Sequence, residues 1–327
     1  MLKKKIAAFL VFVMLIMGSV TTANAAVLSA ALGDVDADGS VDAADALFVL
    51  RASVNLETLT DEQFHRADMN GDGKSDSFDA LTILRMSVSL LDTSLTVGKP
   101  FRYTKAVNGI DVSFWQGDID FEKVKRSGID FVIIRAGGAT DNPAENHPNI
   151  DPRRQGVDAY FERNYAKAKA AGLNVGVYWY SFAENVEQAR KEAESCLRAI
   201  DGKQFEYPIF YDIENLYQFE KGRDFCSALM ETFCSTISDN GYYSAFYMST
   251  YFATNYLNND IKQKYDCWLA QWSGDVAYKG AYVMWQYSTG TVDGINGDVD
   301  VDYSYTDYPL YIKSLGLNGW GEHYDKY

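Results

Sequence analysis

Histidine is scarce in this chain, with three residues (His65, His147 and His323) in 327. They lie in separate segments, beside no nucleophile and with no metal-ligand spacing, which argues against Ser-His-Asp hydrolysis and zinc chemistry. Positive charge is short as well: 30 Lys and Arg against 45 Asp and Glu leave a formal net charge of −15. Nucleic acid is therefore a poor partner, and an anionic wall polymer would gain no general electrostatic attraction. Four cysteines, Cys196, Cys226, Cys234 and Cys267, match no small disulfide scaffold. If Cys226 and Cys234 share a helix, about 12 Å of rise separates them, too far to bridge, so free buried thiols are expected. Past the N-terminus no apolar run approaches the roughly 18 residues of a spanning helix, and the mature chain is not expected to be membrane-embedded.

What is present begins with Lys3-Lys4-Lys5, an apolar run from Ile6 to Met17 and the small-residue site Ala23-Asn24-Ala25. This pattern predicts a secretory signal peptide over 1–25 and an exported protein. A content of 47% hydrophobic and 14% aromatic residues is ample for one large domain plus a small one.

The small one announces itself as a repeat. Asp34 to Asp45 aligns with Asp68 to Asp79, and the helix-forming segments behind them, Ala46 to Val54 and Ala80 to Val88, align at the same offset. Oxygen ligands at loop positions 1, 3, 5, 9 and 12, a glycine at 6 and a backbone carbonyl at 7 suit a cation of calcium's size. The first loop supplies Asp34, Asp36, Asp38, Asp42 and Asp45 with the Ser40 carbonyl, turning at Gly39. The second supplies Asp68, Asn70, Asp72, Asp76 and Asp79 with the Lys74 carbonyl, turning at Gly73. Two structural calcium ions are expected, and clustered carboxylates that repel until neutralised should couple folding to metal.

Position 12 is Asp rather than the Glu of ordinary EF-hands, and no entering helix is expected before either loop. Over 32–92 the segment resembles the type I dockerin module, an all-α calcium-binding domain. That resemblance implies a cohesin module of a scaffold protein as partner, contacted through positions 10 and 11: Ala43 and Ala44 in one repeat, Ser77 and Phe78 in the other. The inequality of the two pairs breaks the pseudo-twofold and favours one docking orientation, with Phe78 as anchor.

A polar stretch over 93–105 reads as a linker. Beyond it, apolar runs at Gly109–Phe114, Phe131–Ala136, Asn174–Phe182, Tyr207–Glu214, Ser244–Met248, Cys267–Gln271 and Ala281–Tyr287 alternate with helical patterns that thin out toward the C-terminus. Such alternation predicts an α/β fold, a barrel at this length. In the run Phe210-Tyr211-Asp212-Ile213-Glu214, strand alternation turns Asp212 and Glu214 to one face. Two acids on one apolar wall are costly unless one is protonated or both serve chemistry, the arrangement glycosidases use.

Asp111, in Gly109-Ile110-Asp111-Val112-Ser113-Phe114-Trp115-Gln116, and Asp300, after Trp285-Gln286-Tyr287 and Gly297-Asp298-Val299, complete a set of four acids at strand ends. In this order and spacing the segments resemble glycoside hydrolase family 25, lysozymes that cut the β-1,4 bond between N-acetylmuramic acid and N-acetylglucosamine. The resemblance covers 106–313, leaving 314–327 as a tail, and implies a modified (β/α) barrel without a catalytic cofactor. It further implies Glu214 as general acid, Asp212 as the group that orients a substrate N-acetyl nucleophile with retention, and Asp111 and Asp300 as positioners. Asp302 departs from the Asn of many members, without expected loss of activity. Trp115, Tyr178, Tyr180, Trp272, Gln286 and Tyr287 are expected to bind sugar, as is Arg135, which should pair with one of the acids because a buried guanidinium needs an anion. A chitinase-like hydrolase and a catalytically silent wall-binding module are the alternatives.

Overall fold

The computed structural model describes residues 32–91 and 100–321; the expected signal peptide and most of the expected linker lie outside the described residues. The chain divides into two compact units, Met1–Phe101 and Arg102–Tyr327.

Among its described residues the first unit contains three helices, Ala43–Ser53, Asp61–Ala67 and Ser77–Ser87. The repeat is visible in its core: Val35, Ala46 and Val49 of one half and Met69, Ala80 and Ile83 of the other, equivalent pairs in the alignment, are all buried. Each long helix starts with a capping box. Asp42 accepts from Ala44 N at 2.6 Å while Asp45 accepts from Asp42 N at 2.9 Å, and Asp76 and Asp79 do the same in the second repeat. One expectation fails here. The helix Asp61–Ala67 enters the second loop directly, started by Thr60 and Gln63 in a capping box of their own. It escaped notice because only Ala67 in it is buried, so it shows no apolar stripe.

The second unit is a closed barrel. Its strands are β1 (Arg102–Val112), β2 (Phe131–Gly138), β3 (Gly156–Val157), β4 (Asn174–Tyr180), β5 (Ile209–Asp212), β6 (Ser244–Ser249), β7 (Asp266–Ala270), β8 (Met284–Thr291) and β9 (Asp298–Thr306). The order β1-β9-β8-β7-β6-β5-β4-β2 closes through a parallel β1–β2 pairing, and β3 hangs on the edge of β2. All ring pairings are parallel except β1–β9 and β8–β9. Those exceptions arise where helices run out: β8 and β9 form a hairpin, and β9 returns antiparallel beside β1. Strand β9 is absent from the expected apolar runs, because Asp300 and Asp302 stand at inward positions where a strand would normally bury apolar residues. Strand β1 also begins earlier than expected, at Arg102 inside the anticipated linker.

Helices Phe161–Ala170, Val186–Ile200 and Arg223–Asp239 pack outside the ring, their buried faces meeting the outward residues Val175, Val177, Ile209, Tyr211 and Phe246. All four cysteines are free and buried. Inside, Phe131, Ile133, Tyr207, Phe210, Trp268 and Met284 fill the barrel, as the interior of such a ring must be filled. Gly109 is required by this packing, since a Cβ there would lie 2.1 Å from the Phe131 ring. The helix Tyr308–Ser314 plugs the bottom with Tyr308 and Ile312. The first part of the expected tail, up to residue 321, packs on the domain: buried Asn318 donates to Tyr207 O at 2.9 Å and accepts from Tyr243 N at 2.6 Å; the rest of it lies outside the described residues.

Candidate active site

Strand register decides which side chains meet at the top of the barrel. Asp111 on β1 lies opposite Asp300 on β9. Asp212 ends β5 between Tyr180 of β4 and Tyr247 of β6, and Tyr247 is in turn opposite Trp268 of β7. The inward alternation that buries Phe210 therefore carries Asp212 to the rim, with Glu214 just past the strand end. Together with Arg135, Tyr178, Trp115, Trp272, Arg154 and Gln286 these residues line a cleft of about 290 Å³. All four expected acids share it. A larger depression of about 660 Å³ at Asp118, Lys123, Lys167 and Gly294 has its charges already satisfied, with Lys167 on Asp118 at 2.8 Å and Lys123 on Asp120 at 3.6 Å.

Two acids with different settings sit at the centre. Asp212 is 4% exposed and its Oδ1 is buried without a hydrogen-bond partner, whereas the Glu214 side chain reaches the open cleft. Burial raises both carboxyls above their usual range, and the charge of Glu214 raises Asp212 further; Arg135 and Arg154 oppose the rise in each. Like charges in one cleft make the pair's second proton harder to remove than its first.

A hydrogen-bonded set joins the other wall. Gln286 donates to Asp111 Oδ2 at 2.8 Å and accepts from Tyr247 OH at 3.0 Å and Trp272 Nε1 at 3.2 Å. Asp302 accepts from Trp268 Nε1 at 2.7 Å. Burial first, then Asp300, lifts the Asp302 carboxyl to about 8. A carboxylic acid held protonated offers one acceptor and one donor, as an asparagine amide does, which accounts physically for Asp at this position. Trp115 and Trp272, 62% and 60% exposed, stand at the cleft as open aromatic surfaces.

Two expectations are corrected. Tyr287 does not line the cleft: alternation on β8 turns Gln286 inward and Tyr287 outward, where its ring stacks on Tyr303 at 4.3 Å. Arg135 does not pair with an acid. Its guanidinium donates to Gly137 O at 3.4 Å and Arg154 O at 3.2 Å and lies over the rings of Phe114 and Tyr180. Carbonyls and π faces replace the expected carboxylate.

Sequence reading passed over Tyr247, Trp268 and Arg154, which carry no motif, and one support beneath the site. Glu192, on the inner face of the helix Val186–Ile200, is buried. It accepts from Phe182 N at 2.8 Å and Tyr211 OH at 2.6 Å, while Ser181, bonded to Tyr211 at 2.8 Å, receives Gln218 Nε2 at 2.9 Å. This network joins the loop after β4 to the loop carrying Glu214. Burial raises the Glu192 carboxyl to about 7. A folded-state pKa above the unfolded value means that stability is lost as pH climbs from the unfolded pKa through the folded one, here on the order of 3 kcal/mol between about pH 4.5 and 7. Glu192→Gln is expected to flatten that slope in denaturant titrations at pH 5 and pH 8, whereas Glu192→Ala, orphaning two buried donors, is expected to destabilise at both. An unchanged slope in the glutamine variant would show that the carboxyl does not titrate there.

The family model of glycosyl hydrolases family 25 matches residues 110–295. The chain belongs to that family. A second family model, the dockerin type I domain, matches residues 32–86. Among curated relatives of this family 25 chain, the autolytic lysozyme of Clostridium acetobutylicum is 29% identical over 198 residues, 60% of this chain and 55% of the relative. The match thus spans little more than half of that relative's length. Lysozyme M1 of Streptomyces globisporus is 28% identical over 217 residues, 60% of this chain and 67% of the relative. The crystal structure of the bacterial lysozyme from Streptomyces coelicolor shares the fold, with TM-score 0.53 and 22% identity, covering 67% of this chain and all (100%) of that one.

The calcium loops can be tested against their own geometry. Oxygens on one calcium ion lie within about 5 Å of one another, and ligand oxygens of Asp34, Asp36 and Asp38 fall within 4.8 Å. Asp34 Oδ1 is buried with no hydrogen-bond partner, an oxygen that a cation would satisfy. Gly39 and Gly73 take φ of 93° and 79°, the left-handed turn that position six demands. Asp45 and Asp79 fold back so that each accepts backbone N–H groups from its loop's first residues and from its ninth. The residues of the first loop fit the ion, and the second loop shares its turn and its capping pattern.

Proposed function

We propose that this chain is an exported lysozyme that hydrolyses the β-1,4 bond between N-acetylmuramic acid and N-acetylglucosamine in peptidoglycan. The observation that carries the reading is the asymmetric pair: Asp212 buried with an unpartnered oxygen, Glu214 open to the cleft. An acid that must give its proton to a leaving oxygen has to be reachable and to hold its proton above the usual carboxyl range, and Glu214 is exposed at the cleft with its carboxyl raised by burial. The acetamido N–H of the substrate is the donor that Asp212 Oδ1 lacks. So oriented, the N-acetyl oxygen attacks the anomeric carbon, Glu214 protonates the departing oxygen, and water opens the cyclised intermediate with retention. Asp111 and Asp300 position the sugar, and Trp115 and Trp272 offer stacking faces. No helix among the described residues is long and apolar enough to cross a membrane.

The dockerin unit tethers the enzyme to a cohesin of a scaffold protein, with two structural calcium ions ordering it. Ala43, Ala44 and Ser77 are exposed and Phe78 half-buried at the helix starts. Behind them, Leu47, Leu50 and Val54 on one helix and Leu81, Leu84 and Val88 on the other are exposed at equivalent positions. This apolar stripe extends the contact surface beyond positions 10 and 11.

Digestion of purified peptidoglycan and of chitin, with identification of the new reducing ends, tests the assignment. Reducing muramic acid ends are expected; glucosamine ends from chitin, or no ends from either polymer, would overturn it.

A further inference from the structure

The β2–β4 side of the cleft carries a cation, Arg154, whose side-chain partner is the Tyr180 hydroxyl rather than a carboxylate. The segment between β2 and β4 brings two arginines to the site at the turn Pro152–Arg154. Arg153 is spent: its guanidinium meets Asp151 at 2.6 Å. Arg135, on β2, is spent on carbonyls, and one of them is the carbonyl of Arg154 at 3.2 Å. Arg154 differs from both. Its guanidinium carbon lies 4.4 Å from the centre of the Tyr180 ring and 5.1 Å from that of Phe182. Its Nε is buried without a hydrogen-bond partner, and among the described residues no carboxylate lies within ion-pairing distance of it.

The placement is built. Gly138 sits beneath it, where a Cβ would lie 2.8 Å from Arg135 Nη2 and 3.0 Å from Arg154 O, so only glycine lets the Arg154 backbone approach so closely. A guanidinium with one face on an aromatic ring keeps its edge free for a planar two-oxygen acceptor. Arg154 is close enough for its charge to lower both the Asp212 and the Glu214 carboxyl, yet in a protein of net charge −15 it holds no carboxylate at ion-pairing distance, which leaves it available to an anion brought by the substrate.

We propose that Arg154 receives a carboxylate of the glycan substrate, making this wall of the cleft an anion subsite. This rests on the peptidoglycan reading above. Two carboxylates are available chemically: that of the lactyl ether on a muramic residue stripped of its peptide, and those of the stem peptide, where the lactyl group is tied up as an amide.

The test compares wild type, Arg154→Gln and Arg154→Lys on peptide-free glycan and on peptide-bearing glycan, both freed of wall phosphate, each with carboxylates intact or converted to amides. Arg154→Gln is expected to lose about tenfold in kcat/KM, carried by KM, on a substrate with the recognised carboxylate. That gap should close when the carboxylates are amidated, and the lysine variant should fall between. A loss on peptide-free glycan assigns the lactyl carboxylate; one confined to peptide-bearing glycan assigns the stem. An equal loss on intact and amidated substrates, accompanied by a shifted pH profile, would mean that Arg154 acts on Asp212 and Glu214 instead and would overturn the proposal, as would no loss on any substrate. Failure of the underlying function shows separately, in wild type that releases no muramic acid ends.

Discussion

Glu214→Gln is expected to lower kcat on soluble peptidoglycan fragments by about a thousandfold, within the range that a positioned general acid contributes, with little change in KM. Glutamine keeps the shape and the polar contact with the neighbouring Tyr247 hydroxyl but has no proton to give. The loss should depend on the leaving group. A substrate with an activated aryl leaving group departs with little protonation, so the same variant should retain most of its activity there; an equal loss on both substrates would mean the mutation damaged the site rather than removed its acid. Because burial holds Glu214 above the usual carboxyl range, its acid form persists toward neutral pH and activity falls as pH rises through that raised value. Asp212 must be ionised to orient the substrate amide, so activity also falls as pH drops. Coupled as they are, the two give a bell whose limbs belong to the pair, and the glutamine variant should lose the alkaline limb. A variant within threefold of wild type on natural substrate would remove Glu214 from the acid's role.

The central acids were legible because their chemistry contradicts their surroundings. Asp212 and Glu214 interrupt an apolar strand, and an acid so placed has few reasons to be there. Strand periodicity put both on one face; β5 ends at Asp212, so the register places that acid alone, and Glu214 joins it in the cleft from just past the strand end. Glu192 obeys the same logic within a helix, falling in line with buried Ala189, Ala193 and Cys196, and could have been found by asking why a carboxyl shares that stripe. Other features could not be read this way. Tyr247 and Trp268 look like ordinary core aromatics in sequence, and only barrel closure shows that their strands end at the acids. Arg135 was singled out correctly as buried, but whether a guanidinium finds carboxylates, carbonyls or rings depends on loops whose course sequence does not specify. Strand β9 was hidden because its inward positions are Asp300 and Asp302: the pattern that signals a strand is apolar, and the site inverts it.

Calcium removal should have the other large effect, and on only one half of the chain. In the first loop, five aspartates fall within twelve residues, and oxygens of three of them, Asp34, Asp36 and Asp38, lie within 4.8 Å of one another. Without a divalent ion their repulsion opposes the fold of a unit whose buried core is small, so that core alone is a weak counterweight. An ion that binds only the folded state adds about 4 kcal/mol at a thousandfold excess over its dissociation constant, comparable with the whole stability expected for a domain of this size. Chelation of the full-length protein is therefore expected to abolish hydrogen-exchange protection in Ala43–Ser53 and Ser77–Ser87 while the barrel strands keep theirs. Cohesin binding, measured by titration calorimetry, should vanish in parallel. Hydrolysis of soluble glycan should persist, because the steps assigned to Glu214 and Asp212 draw on the chain's and the substrate's own groups. The second loop carries Asn70 where the first has Asp36, one charge fewer, so on titrating calcium back the two helices should regain protection at different concentrations. Protection of both helices that is indifferent to chelator would show that the apolar core alone holds the module, and the acidic loops would then need another explanation.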